Sequence, residues 1–224
     1  MNFKKIPRRK INVLIACEES QAECSEFRKL GFNAYSCDIQ KPRLEPKWHI
    51  MGDVTPFLVG LHKFKTVDGK HHTVDHWHLI IAHPPCTYLC RVSSVHLLVK
   101  GIINQERFEK MKYAADFFYK CLNAKADFVA VENPIPMKRA GLPRPSCFIQ
   151  PSWFGVKYTK KTLYWLKNLP PIMPSIIYPN PKEFVRASRG KYRSRTFPQV
   201  AAAIAQQWGE FIEKQINQKT KLQL

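Results

Sequence analysis

The chain has 224 residues, of which 45% are hydrophobic, and this composition is typical of an ordinary globular protein and argues against general disorder. The formal net charge of +19 at pH 7 favours a polyanionic partner: nucleic acid first, an anionic membrane surface second, with a merely solubilising surface as the alternative. No apolar run approaches the length of a membrane span, so we expect no membrane partner.

Seven cysteines, an odd number without a pairing pattern, indicate free thiols in a reducing compartment, and we expect a cytoplasmic protein. We predict a basic N-terminal arm at residues 1–10 and one domain at 11–224. The domain divides into a core at 11–134, a Pro-rich basic part at 135–195 and a closing helix at 196–212. The sequence leaves the oligomeric state open.

Apolar runs bounded by turn residues predict the elements of the core. We predict strands at 11–16, 33–37 and 79–82, a short strand within 48–54, and a helix at 20–30 that Gly31 ends. A polar, His-rich insertion at 58–78 predicts a hairpin or loop around Asp68 and Gly69. An amphipathic helix at 105–123 then leads to a strand at 128–131.

Prolines interrupt the second half of the chain, where short runs at 162–166 and 176–178 predict antiparallel edge strands. A basic loop and a helix at 199–208 follow. Because strand and helix alternate in the first half, we predict an α/β fold with a mostly parallel sheet and right-handed crossovers.

Two short motifs follow predicted strands of this sheet. The strand at 79–82 leads into a His-Pro-Pro-Cys motif that ends at Cys86, and the strand at 128–131 leads into a Glu-Asn-Pro motif that begins at Glu132. Ligands bind outside the carboxyl ends of the strands in open α/β sheets. The sequence therefore predicts a thiol and a carboxylate at one edge of the sheet.

A thiol and a carboxyl group at one edge suit a specific covalent chemistry. A thiolate that adds to carbon 6 of cytosine makes carbon 5 nucleophilic towards a methyl group, and a carboxyl group at ring nitrogen 3 stabilises the charge that this addition creates. Cys86 and Glu132 are the candidate catalytic residues. The plain alternative for Cys86 is a buried small hydrophobic residue.

The Pro-Pro-Cys and Glu-Asn motifs, in this order, resemble those of the DNA cytosine-5 methyltransferases. Weaker similarity follows at residues 13–20, at Cys37-Asp38, at 52–54 and at 194–198, so that the resemblance runs from about 11 to 208. The pattern is most similar to the short methylase-like proteins of bacteriophages and prophages, which lack a large target-recognition domain. The resemblance implies a Rossmann-like methyltransferase fold and transfer of a methyl group to carbon 5 of cytosine in DNA.

The cofactor that the resemblance implies is S-adenosylmethionine. Asp38 is then expected to bind its ribose hydroxyls and Asp53 its adenine, although each Asp also fits a turn or helix cap. The remaining expected cofactor-binding residues are Ala16, Cys17, Glu18, Glu19, Ser20, His83 and Pro84. His83 equally fits a residue that tunes the thiol or one that simply ends its strand.

The loop at 16–21 departs from the Gly-rich loop of the larger family. Ala16 and Ser20 are still small enough for some close approach of the backbone, and Ser20 also suits a helix cap. A carboxylate of Glu18 or Glu19 is expected to hold the amino group of the cofactor. These two acids disfavour a phosphate-bearing dinucleotide.

Ten basic residues lie between Lys157 and Arg195, with aromatic residues among them that suit stacking on bases. The expected phosphate contacts are Arg189, Lys191, Arg193 and Arg195, and the plain alternative is a solvated basic face. The interval at 170–190 is too short for a separate recognition domain, so we expect a short or absent recognition sequence, or a partner that supplies specificity.

Three alternatives remain at this stage. The same chemistry on RNA is the second enzymatic candidate, and a catalytically silent nucleic-acid-binding protein with the same fold is the candidate from another class. A zinc site among the histidines at 62–83 is the third, but the segment has neither a Cys-x-x-Cys pair nor a recognised His spacing, and we expect no metal.

Overall fold

The computed structural model describes residues 5–99, 101–184 and 196–222. The strands are β1 Asn12–Ala16, β2 Asn33–Asp38, β3 His49–Met51, β4 Lys63–Lys65, β5 His71–Thr73, β6 Leu79–Ala82, β7 Leu98–Val99, β8 Ile102–Ile103, β9 Phe128–Asn133, β10 Cys147–Ile149, β11 Tyr158–Thr159, β12 Thr162–Lys167 and β13 Lys182–Glu183. The helices are α1 Ala22–Lys29, α2 Thr55–Leu58, α3 Gln105–Leu122 and α4 Pro198–Leu222.

Within the described residues, one seven-stranded sheet forms the centre of the molecule, in the order β10-β12-β9-β6-β1-β2-β3. The five strands from β9 to β3 are parallel, and β12 and β10 continue the sheet as antiparallel strands. This confirms the predicted α/β fold with a mostly parallel sheet. The arrangement is compatible with a Rossmann-like fold.

Alternating side chains of the central strands form two cores, one on each face of the sheet. On β1, Leu14 and Ala16 belong to the core that α3 covers, whereas Val13 and Ile15 belong to the core that α1 and α4 cover. All five residues of β1 are buried, which is why the strand is apolar along almost its whole length.

Helix α4 runs to Leu222, past the predicted end of the closing helix at 212, and Ile216 in this extension still packs against the core. Gly209 does not end the helix. It lies against Phe32, and a Cβ atom built on Gly209 falls 2.8 Å from Cε2 of that ring. The missing side chain therefore serves close packing between α4 and the residue that precedes β2.

Three further predictions needed correction at their boundaries. The run at 176–178 is no strand: Ile176 makes one isolated bridge to Phe154, and Pro174 and Pro179 flank the segment. The strand within 48–54 ends at Met51, so Asp53 lies beyond it. Strand β9 extends through Asn133, past the predicted end at 131, because β12 pairs with these last residues.

The predicted hairpin around Asp68 and Gly69 is present as the antiparallel pair of β4 and β5. Its turn holds Asp68, whose carboxylate accepts the hydroxyl of Thr66 at 2.6 Å, and Gly69, whose φ of +88° is left-handed. Phe64 of this hairpin stacks on Trp77. The insertion therefore packs against the sheet as part of the core.

The segment before β1 is attached to α4. Arg8 forms an ion pair with Glu213 at 2.9 Å, and Lys5 contacts the same carboxylate at 2.7 Å. No helix in the described part of the chain combines the length and the apolar character needed to cross a membrane.

Candidate functional site

The two predicted catalytic side chains follow neighbouring parallel strands. Strands β6 and β9 pair in parallel with Ala82 opposite Val131, so the loop that carries Cys86 and the carboxyl end of β9 that carries Glu132 meet at one edge of the sheet. The negative charge of Glu132 is among the causes that raise the pKa of the half-buried Cys86 thiol. The structure thus brings this thiol and this carboxyl group together, as predicted from the two motifs.

His83 lies between two carboxylates. Its Nδ1 is 3.4 Å from Oε2 of Glu132, and its Nε2 is 3.2 Å from Oε2 of Glu23. The exposed fraction of the side chain is 15% for His83, 19% for Glu132 and 0% for Glu23. These three residues form a nearly dry chain of polar groups, which we call the acid–histidine bridge.

The loop after β1 contacts the start of α1, where Glu23 of the bridge lies. Glu18 accepts the backbone N–H of Glu23 at 2.7 Å and that of Cys24 at 3.3 Å, and so caps the start of α1 with its carboxyl group. Ser20 approaches only Ala22 N–H, at 3.4 Å. Glu18 therefore performs the capping that the sequence assigned to Ser20.

Burial and neighbouring charge govern the protonation of these groups. Burial raises the pKa of Glu18 to about 8, and the nearby Glu23 adds to the rise. Burial lowers the pKa of His83, but the charge of Glu23 and the hydrogen bond to Glu132 outweigh it, and the pKa lies well above its ordinary value. Burial likewise raises the pKa of Glu132, but the contact with His83 outweighs it, and the net shift is downward.

Cys86 has a second thiol beside it. Cys90 lies one turn later, where its backbone N–H bonds to the carbonyl of Cys86 at 3.0 Å. The hydrogen bond between the two thiols, followed by burial, raises the pKa of Cys86, and the same bond lowers the pKa of Cys90 to about 5. The two neighbouring thiols therefore titrate as a pair rather than independently.

The predicted cofactor residues surround the point at which the strand order reverses. The chain proceeds from β1 to β2 and β3 on one side, whereas β6 and β9 lie on the other. Ligands bind at such switch points, outside the carboxyl ends of the strands. By this rule a ligand would lie between the loop after Ala16 and the loop that starts at His83, whose backbone N–H bonds to the carbonyl of Ala16 at 2.9 Å.

Carboxylates from two further strand ends converge on the first loop. Burial raises the pKa of Cys17 well above its usual value, and the charges of Asp38 and Asp53 contribute to this rise. Asp38 accepts the backbone N–H of Gln40 at 2.8 Å, and Asp53 accepts the N–H and the hydroxyl of Thr55. Both Asp residues therefore make the local turn contacts that were the alternative to a cofactor role.

The acids of the first loop are already engaged. Each oxygen of Glu18 accepts a backbone N–H of α1, and Glu19 forms an ion pair with Arg43. The expected roles of Glu18 and Glu19 in holding the amino group of a cofactor stay predictions. The roles of Ala16, Cys17, Ser20 and Pro84 in binding stay predictions.

The sequence missed two buried polar side chains beside the site. Glu23 is fully buried, and its Oε1 has no hydrogen-bond partner within the described residues. The side chain of Asn133 is also fully buried, and neither of its polar atoms has a partner in this part of the chain. The Glu-Asn motif was a signal for Asn133, whereas Glu23 lies in an ordinary amphipathic helix that gives none.

A group of possible metal ligands lies at the opposite edge of the sheet. Asp75, His76 and His78 each place one ligand atom within 4.8 Å of the others. However, Nδ1 of His78 accepts the backbone N–H of Asn12 at 3.0 Å, so the neutral ring carries its proton on Nε2. Since that nitrogen then has no lone pair for a metal ion, we interpret the group as a hydrogen-bonded cluster.

The expected phosphate contacts Arg189, Lys191, Arg193 and Arg195 lie outside the described residues. Lys157 and Lys161, from the start of the same basic segment, are exposed. Comparison of the chain with protein-family models and with curated proteins gives no match. The functional argument therefore depends on the geometry of the site.

Proposed function

We propose that this protein is a methyltransferase that uses S-adenosylmethionine to methylate carbon 5 of cytosine in DNA, and that its fold is the Rossmann-like fold of such enzymes. The observation that supports this most is the placement of Cys86 and Glu132 at the carboxyl ends of two neighbouring parallel strands. The net charge of +19 supports a nucleic-acid substrate.

Cys86 is the nucleophile in this proposal. Its sulfur bonds to carbon 6 of the ring after the thiol proton has left to solvent, which reaches this half-buried side chain. Glu132 contacts ring nitrogen 3 and shares a proton with it as negative charge moves there. Cys86 acts on the face of the ring and Glu132 on its edge, so both side chains have to lie beside the same base, as their neighbouring positions allow.

The target base has to leave the helical stack, because a thiol cannot reach the face of a stacked ring. The mostly buried Glu132 supports such a pocket, since a carboxyl group that is 19% exposed contacts a base only where the base enters the protein. Phosphate contacts from the basic segment supply affinity without base identity.

The crevice between β1 and β6 suits the cofactor. When bound, S-adenosylmethionine supplies an electrophilic methyl group. Asp38 is half-buried beside the first loop and engages one carboxylate oxygen in its turn, which leaves the other as an acceptor for hydroxyl groups. Asp53 lies beyond the end of β3, is exposed, and likewise engages one carboxylate oxygen in a local turn. The positive charge on the sulfur of the cofactor fits a crevice bordered by these carboxylates.

Methyl transfer from labelled S-adenosylmethionine tests the proposal. The full chain is incubated with duplex DNA, single-stranded DNA and RNA, and the products are digested and analysed as nucleosides. We expect labelled 5-methylcytosine from DNA, and none from Cys86→Ser. Cys147→Ser is the matched control, because Cys147 is a half-buried thiol on the edge strand β10.

Three results would change the proposal. If only RNA becomes labelled, the substrate is RNA, the second candidate, and the proposed chemistry is unchanged. Binding of nucleic acid without binding of the cofactor in calorimetry supports the silent binding protein. Label on an amino nitrogen contradicts the role of Cys86.

A further inference from the structure

One proton of the acid–histidine bridge is shared between the ring of His83 and the two carboxyl groups. A neutral imidazole donates from one nitrogen and accepts at the other, yet both nitrogens of His83 face a carboxyl oxygen, at 3.4 Å and 3.2 Å. Both contacts are satisfied only when the ring carries two protons or when one carboxyl group carries one. The three side chains therefore share one proton in a nearly dry place.

Glu23 is the fixed end of the bridge. It lies at the start of α1 within the cap that Glu18 makes, and its side chain has no exposure to solvent. Among the described residues, His83 is its one ion-pair partner. A carboxylate buried in this way requires a cation beside it, so Glu23 favours the doubly protonated form of His83.

Titratable groups from several elements surround the bridge. Glu18 approaches from the loop after β1, Glu23 from the start of α1, Tyr164 from β12, Cys86 from the loop after β6 and Glu132 from β9. The charge of Lys160 acts on Glu132 as well. Of these groups, His83 alone contacts both Glu23 and Glu132.

We propose that His83 is a positioning residue for Glu132: it holds Oε2 through Nδ1–H, leaves Oε1 for the target ring, and in its charged form stabilises the carboxylate that remains when a proton has moved from Glu132 to ring nitrogen 3. This inference rests on the proposed methyl transfer. It gives Glu23, a residue with no part in that reaction, the task of keeping His83 charged.

The step that this contact assists is the addition of the Cys86 thiolate to the cytosine ring. The sulfur of Cys86 bonds to carbon 6, the electron pair of the 5,6 double bond moves towards nitrogen 3, and a proton that Glu132 has first taken up from solvent moves to that nitrogen. Glu132 is then an anion beside the His83 cation, 3.4 Å from Nδ1. The attraction between them lowers the energy of the adduct relative to a site with a neutral ring.

The test is the rate of adduct formation with 5-fluorocytosine DNA as a function of pH. The variants are His83→Asn, whose amide can take the place of Nδ1–H, and His83→Gln, whose longer side chain cannot do so in the same position. We expect a loss of about tenfold for Asn and about a hundredfold for Gln. His62→Asn, at an exposed histidine beside the β4–β5 hairpin, is the matched control.

The pH profile distinguishes this role from a merely structural one. In the native protein the rate should fall on the alkaline side as His83 loses its charge, and this fall should be absent in His83→Asn. Glu23→Gln should keep the fall but move it to lower pH, because the carboxylate that favours the charged ring is gone. Alkylation of Cys86 over the same pH range, followed by peptide mass spectrometry, corrects for ionisation of the thiol.

The outcomes separate this inference from the proposed function. A native protein that forms neither adduct nor 5-methylcytosine overturns both. An active native protein whose rate and alkaline fall survive in His83→Asn overturns the role of His83 alone. If His83→Asn does not fold, by circular dichroism, the shift in Glu23→Gln decides: an unmoved alkaline fall overturns the role.

Discussion

Glu18 accepts the backbone N–H of Glu23 through Oε1 at 2.7 Å, so that two carboxyl groups are buried side by side at the start of α1. Burial, together with the charge of Glu23, raises the pKa of Glu18 from 4.5 to about 8. The folded protein therefore holds a proton on Glu18 at a pH at which the unfolded chain has lost it.

This difference makes stability depend on pH in a predictable direction. The stabilising contribution of the Glu18 proton is fully present below about pH 4.5 and is lost as the pH rises through about 8. We expect the unfolding free energy of the native chain, relative to Glu18→Gln, to fall by about 1.4 kcal/mol per pH unit in this window. Urea unfolding at pH 5, 6.5 and 8 measures it. Parallel stability curves for the two proteins would contradict the prediction, and Glu45→Gln, at a half-exposed side chain, is the control.

Cys86 should form a covalent adduct with DNA that contains 5-fluorocytosine, because fluorine cannot leave as a proton and the intermediate is trapped. We expect Cys86→Ser to abolish both the adduct and methyl transfer, since a hydroxyl group is a much weaker nucleophile than a thiolate. Denaturing gel electrophoresis detects the adduct. A Cys86→Ser protein that methylates at the native rate would rule out this assignment.

Glu132→Gln keeps the shape of the side chain but removes the group that shares a proton with ring nitrogen 3. We expect the single-turnover rate to fall by about two to four powers of ten. The affinity for DNA, measured by fluorescence anisotropy, should change little. Equal losses in affinity and rate would indicate a scaffolding role, and Glu109→Gln, at an exposed position on α3, is the control.

Gly209→Ala tests the contact between α4 and Phe32. An added Cβ atom lies 2.8 Å from Cε2 of a ring that is 2% exposed, and such overpacking costs about 1–3 kcal/mol. The gain in helix propensity from Gly to Ala, about 1 kcal/mol, offsets only part of this. We expect a net loss of stability in urea unfolding. In a Phe32→Leu background the same Gly209→Ala change should cost less, and a stabilised Gly209→Ala would show that the ring moves freely.

Replacement of Arg189, Lys191 and Arg193 by Ala should weaken the binding of all DNA sequences alike, because phosphate contacts carry no base identity. The logarithmic salt slope on duplex DNA should fall by about 0.9 for each phosphate group that the variant no longer binds. Cofactor binding should survive. The control replaces Lys63, Lys65 and Lys70 in the β4–β5 hairpin. A weakening confined to one sequence would make the segment a base reader.

Strands β1, β6 and β9 were predictable because each contains an uninterrupted apolar run. Strand β6 has the predicted bounds, Leu79–Ala82, and all four residues are buried. The placement of Cys86 beside Glu132 followed from the same reasoning, since parallel strands bring their carboxyl ends to one edge. Local pattern was sufficient wherever burial on both faces dictated the residue type.

Features that depend on distant partners were not predictable from local pattern. Strand β9 extends to Asn133 because Leu163 of β12 pairs with that residue. The residues near Glu132 do not indicate that β12 pairs there. The capping of α1 by Glu18 required the loop geometry, since Ser20 is the usual type of cap. The burial of Glu23 depends on His83, which lies 60 residues away in the sequence.

That separation has a consequence for how the molecule folds. His83 is 60 residues from Glu23 and 49 from Glu132, so the acid–histidine bridge forms only after two long loops have closed. Contacts of such high sequence separation form slowly and late. A nascent chain that has not yet paired β9 with β6 presents Glu23 without its completed cation bridge, and the acid resists burial there. We therefore expect the acid–histidine bridge to form together with the pairing of β6 and β9.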